Sequence, residues 1–139
     1  MRACAIMTLD PKGIAVMTRD MELIRKVILE IQARKDAEFQ PIEMEGYDHG
    51  TVIRHLELMS EAGLIVAHIS RGYDQTVIRV KDLTWAGHDF AAALANENVW
   101  GKIKKSFSPA DLAAMPLGIL KELGLGLLSQ WAKGQLGLP

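Results

Sequence analysis

Thr51-Val52-Ile53-Arg54-His55-Leu56-Glu57-Leu58-Met59-Ser60-Glu61-Ala62-Gly63-Leu64-Ile65 is the stretch that decides the fold. At roughly 100° per residue, Val52, Leu56, Met59 and Gly63 fall within one narrow arc, so the segment reads as a helix with an apolar stripe and a polar opposite face. Gly63 supplies the left-handed residue that ends such a helix, and Leu64-Ile65-Val66 opens a β-rich run. Strands are expected over 64–69 and 76–81, joined by Ser70-Arg71-Gly72-Tyr73-Asp74-Gln75. In the second strand Ile78 and Val80 face one side while Arg79 and Lys81 face the other, and the hairpin is tipped by Arg71 and Tyr73.

Upstream, Ile24, Val27, Ile28 and Ile31 recur at helical spacing and predict a helix over about 19–34, with Thr18 as its cap and Asp20 in its positive first turn. Phe39 to Glu45 reads as a short edge strand, because Pro41 lacks the amide donor a central strand needs. Asp48 caps the central helix. The interval between the two helices is too short for a full positioning helix, which is therefore expected to be short or missing.

Downstream, Thr84 stands in N-cap position and Phe90, Ala93, Leu94 and Glu97 mark the turns of another helix. Gly87 in its first turn costs about 1 kcal/mol relative to alanine, so it marks a close backbone approach. Asn96-Glu97-Asn98 loosens that helix, and Val99 to Lys105 adds an amphipathic turn with a basic side. Ser108, Pro109 and Asp111 form a capping-box-like restart, and Pro116 breaks or restarts the helix again. From Leu117 to Trp131 the chain is apolar on several faces, which predicts burial on its own domain or against a partner.

These elements add up to an α+β chain. A winged helix-turn-helix-like domain (helix, short strand, helix, two-stranded wing, helix) spans 18–105, and a C-terminal apolar helical extension spans 106–139. Residues 1–17 form an N-terminal extension without helical or strand periodicity, expected to be a disordered tail or a short β-arm. Translation is expected to start at Met17 rather than Met1, which an intact mass of the native protein checks.

The 139 residues are enough for one compact domain with a real core. The net charge of -1 shows no basic excess of the kind a dedicated nucleic-acid binder carries, so any attraction to phosphate must come from local patches. The single cysteine, Cys4, excludes an internal disulfide and a thiolate zinc site and fits a reducing cytosol. No stretch reaches the roughly 18 apolar residues of a membrane span, and the N-terminus does not read as a signal peptide. A cytoplasmic protein with no membrane partner is expected.

For duplex DNA the candidate contacts are Thr51 and Arg54 on the outward face of the central helix, Arg71 and Arg79 on the wing, and Lys102, Lys104 and Lys105 beyond it. That helix face also carries Glu57, Leu58 and Glu61, and each carboxylate repels phosphate, so binding there is expected to be weak. An ordinary solvated charged face is the competing reading. For catalysis, His88-Asp89 are adjacent helical residues pointing about 100° apart, which do not face one another. His49, His55 and His68 lack metal-ligand spacing, and no phosphate loop, nucleophile elbow or Cys/His pair occurs. We therefore expect a non-enzymatic protein with no catalytic residues, no metal and no cofactor. For association, Ile53 and Leu58 lie off the core stripe, and Leu120, Leu123, Leu127 and Trp131 form apolar surface that wants a cover, either a second copy in a homodimer or another protein.

Val52 to Ile65 resembles the helix-to-wing junction of many bacterial winged-helix regulators, and Leu83-Thr84-Trp85-Ala86-Gly87-His88 resembles their Leu-Thr-x-x-Gly wing exit. More closely, Arg19-Asp20-Met21-Glu22-Leu23-Ile24-Arg25, Glu45-Gly46-Tyr47-Asp48, Glu61 to Ile65, Leu83 to Phe90 and Val99-Trp100-Gly101-Lys102-Ile103-Lys104 together resemble the bacterial and phage family called domain of unknown function 2513. The likeness runs in order from about Arg19 to Lys105, with Ala86 standing where an acidic residue is expected. It implies a winged-helix-like fold and a phage or mobile-element context, and it carries over no catalytic residues.

Overall fold

The computed structural model describes residues 7–9, 15–17 and 19–138, within which the chain is α+β. Strands β1 (Met7–Leu9) and β2 (Ala15–Met17) pair antiparallel, Met7 opposite Met17. Strands of three residues are too short to show an alternating pattern, which is why the sequence of this segment has no readable period. Cys4 and Thr18 lie outside the described residues.

Helix α1 (Met21–Ala33) begins two residues later than the sequence suggests, and its cap is Asp20, whose carboxylate accepts from the Glu22 and Leu23 amides at 3.0 and 3.2 Å. Its stripe of Leu23, Ile24, Val27, Ile28 and Ile31 is buried. Between α1 and α2 (His49–Glu61), residues 34–48 hold the two-residue strand β3 (Gln40–Pro41) and no helix, so the positioning helix is missing. Asp48 caps α2 through the Thr51 amide at 3.2 Å, and Val52, Leu56 and Met59 are buried as their spacing requires. Gly63, at φ 74°, ends the helix; the Leu64 amide reaches back to the Met59 carbonyl at 3.0 Å, the wrap that satisfies the last orphan carbonyls.

Strands β4 (Ile65–Arg71) and β5 (Thr76–Leu83) form the long hairpin, and β3 pairs on the far side of β5, giving the antiparallel order β3-β5-β4. Pro41 sits on the edge, where its missing donor does no harm. Ile65, Ile78 and Val80 face the helices, while Val66, His68, Arg79 and Lys81 face solvent.

Helix α3 (Trp85–Ala95) starts at Thr84, whose hydroxyl accepts from the Gly87 amide at 3.0 Å. Asn96 ends α3 and also caps α4 (Glu97–Ser106) through the Asn98 and Val99 amides, so the segment expected to be a single amphipathic turn is a full helix. One side chain that looked like a helix breaker is instead a cap. Ser108 and Asp111 make a reciprocal capping box at the start of α5 (Pro109–Ala114), and Pro116 separates it from α6 (Leu117–Gln135). Helix α6 packs across α3 and α4 at Gly124, where an added Cβ would lie 3.2 Å from the Ala93 Cβ. Leu112 and Leu120 join the same buried cluster as α1 to α4. The expectation that α6 is buried holds for one face only: Leu120 and Gly124 are buried, whereas 129–138 are exposed throughout. Two helices cover one side of a third and no more. Among the described residues, no helix is long and apolar enough to cross a membrane.

Candidate functional site

The cations named from the sequence do not converge. Arg71 is the last residue of β4 and shares the alternation of Ile65, Ala67 and Ile69, so it points toward the helices. There it donates to the Glu57 carboxylate at 2.8 Å, while Arg54 approaches the same carboxylate at 4.0 Å. The Glu57 side chain is only 17% exposed, so this carboxylate is held between the two arginines. A phosphate reaching either of them must compete with a fixed negative charge. Arg79, paired across the strands with His68, stands on the opposite face of the sheet. Lys104 is elsewhere again, 3.8 Å from Glu22 on α1.

Thr51 is corrected from an outward to an inward residue. It is buried, and its hydroxyl lies 3.3 Å from the capping carboxylate of Asp48, because the first turn of α2 folds it back toward its own cap. His55, next to the stripe, is wholly buried: its Nε2 accepts from the Asp20 amide at 2.8 Å and its Nδ1 donates to the Thr51 carbonyl at 2.8 Å. These partners fix one neutral tautomer, since an amide only donates and a carbonyl only accepts. His55 is therefore a tie between α1 and α2 with no lone pair left for a ligand. Arg19 plays a similar part, donating to the Leu112 and Met115 carbonyls at the end of α5, and burial lowers its pKa from the ordinary guanidinium value. His88 lies 3.6 Å from Asp82 in an exposed pair. Among the described residues no cluster of three or more His, Cys, Asp or Glu is placed to hold a metal.

The apolar candidates divide differently. Leu120 is fully buried within the chain, so it is no association residue: the close crossing at Gly124 turns it into the core. Ile53 is half-buried and packs against that core, and Leu58 lines a shallow depression with Ile24 and Leu117. Leu123 and Trp131, by contrast, are 36% and 38% exposed, with Ile119 and Leu125 exposed beside them. Leu123 and Leu127 form one wall of an open groove whose other wall is Ile103 and Phe107, and Lys102 and Lys105 stand at its rim. Phe107 was missed in the sequence, although it continues the Val99-Ile103 stripe by four residues.

A family model described as "Hypothetical protein (DUF2513)" matches residues 18–111. The chain is also 28% identical, over 116 residues, to an "Uncharacterized protein" of Haemophilus influenzae, a match covering 82% of this chain and 98% of that protein. No solved structure matches it.

Proposed function

Because the chain belongs to the family described as "Hypothetical protein (DUF2513)", a description that states no activity, we propose a function from its own surface: a non-enzymatic, cytosolic protein-association module, in which a winged-helix-like scaffold presents α6 to another polypeptide. The observation that carries this reading is the apolar exposure of α6, where Ile119, Leu123, Leu125 and Trp131 are exposed around one helix and residues 129–138 are exposed throughout. Apolar residues exposed along a helix are stabilised by a cover. The scaffold reading is supported by the order of elements, by the strand order β3-β5-β4, and by α2 passing through Gly63 into the long hairpin. The missing positioning helix and the Glu57 clamp argue against α2 as a reader of bases.

Replacing Ile119 and Leu123 together by Asp tests the reading, and both are exposed enough for the fold to survive. The double variant is expected to keep its helical circular dichroism and to lose either self-association by light scattering or a protein captured by the parent chain. If mass and captured protein are both the same as for the parent, the reading fails.

A second reading, a phage-derived regulator that binds duplex DNA weakly, is favoured by Arg79 and Lys81 standing exposed on the outer face of the sheet. On this reading Arg79→Ala weakens low-salt DNA retardation and lowers its salt dependence, whereas Arg54→Ala changes little because Glu57 already offsets that charge. No retardation of any fragment at low salt removes the second reading.

A further inference from the structure

We infer that the groove between α4 and α6 is a docking site for an amphipathic helix with an apolar stripe flanked by acidic side chains. The inference rests on the association reading and names the partner's chemistry. The groove's walls, Ile103, Phe107, Leu123 and Leu127, are apolar, which suits a helix presenting anchors at i, i+3, i+4 and i+7. Its rim is cationic: Lys102 and Lys105 are both exposed, and no carboxylate is among the groove's lining residues. That local excess of positive charge stands on a chain whose net charge is -1. Charge complementarity therefore selects an acidic helix.

A second copy fits less well. The helix it would offer, α6, carries Lys121, Glu122 and Lys133, so its charges sum to a positive value facing a positive rim. Groove-to-groove pairing would set lysines against lysines. The local role of Lys105, in the last turn of α4, is to complement the helix's negative end, but Lys102 lies before that turn, and such a role predicts no preference among peptides.

The test is a fluorescence-anisotropy titration of the full chain with two labelled helical peptides of about 16 residues, sharing one leucine stripe and differing only in Glu or Lys flanks. The Glu-flanked peptide is expected to bind about tenfold more tightly than the Lys-flanked one at low salt, with the advantage shrinking as salt rises. Lys102→Glu with Lys105→Glu is expected to reverse the preference, and Leu123→Asp to abolish binding of both. Equal binding of the two peptides, or a preference unmoved by the lysine reversals, overturns the acidic-helix assignment. Failure of both peptides, with the Ile119/Leu123 double variant still losing its mass or its captured protein, overturns the groove and leaves the association reading standing.

Discussion

Replacing Gly87 by alanine is expected to destabilise the fold by about 3 kcal/mol, read as a fall of roughly 10 °C in the thermal midpoint. A Cβ built on Gly87 lies 2.0 Å from the Leu64 carbonyl oxygen and 3.0 Å from its carbon. That carbonyl is backbone, and it is not free to retreat: it accepts the Thr84 amide at 2.9 Å, while the Thr84 hydroxyl donates to the neighbouring Gly63 carbonyl. The first turn of α3 is thus laid directly on the turn that ends α2. The sign of the effect is the informative part. In an unobstructed helix the same change gains about 1 kcal/mol through propensity. Gly101 in α4 is the matched control, because nothing lies within 4 Å of its added Cβ. Gly101→Ala is expected to hold or raise the midpoint while Gly87→Ala lowers it. A Gly87→Ala protein as stable as the parent would show that α2 and α3 do not meet this closely.

Gly87 also shows what kind of information the sequence carries. A glycine inside a helical pattern conflicts with local propensity, and the conflict itself signals a neighbour, although not which one. Asp48, Thr84 and Ser108 were legible as caps for the same reason: the bonds they make lie within three residues. The α+β class and the order α1, β3, α2, β4, β5, α3 followed from such local marks. What was not legible depends on pairs far apart in the chain. Thr18 and Asp20 are equally good capping types, and a tertiary bond from the Asp20 amide to His55 accompanies the choice of Asp20. The split between Arg71 and Arg79 follows from strand parity, but only once β4 is known to run to Arg71; ending it at Ile69 leaves Arg71 in a loop with no direction. Likewise α6 reads as buried because its sequence is apolar all round, whereas the number of helices available to cover it is a property of the whole fold. The groove combines both limits, since Phe107 and Leu123 come from different helices and only packing puts them opposite each other.

The second large effect is expected at His55. Replacing it by leucine keeps most of the volume and removes both ring hydrogen bonds, so the loss of stability measures the polar tie. Of the two bonds, the one from the Asp20 amide matters more. The Thr51 carbonyl remains within helix α2, where the backbone offers it a donor, but the Asp20 amide has His55 Nε2 as its partner in a residue that is only 6% exposed. Left unpaired, a buried donor costs about 1–3 kcal/mol. His55→Leu is therefore expected to lose about 2 kcal/mol in urea unfolding at constant slope, and His55→Ala about 4 kcal/mol, because a cavity is added to the orphaned amide. Amide hydrogen exchange separates this account from simple loss of packing. The Asp20 amide should exchange much faster in His55→Leu than in the parent chain, while the amides of α2 beyond its first turn change little. A leucine variant within about 0.5 kcal/mol of the parent, with the Asp20 amide still protected, would remove the tie. If instead the amide is released, the N-terminus of α1 loses its anchor on the helix whose outward face carries the Glu57 pairs with Arg54 and Arg71. The side of α2 on which the fold depends most is then its inner one, where His55 holds α1 in place.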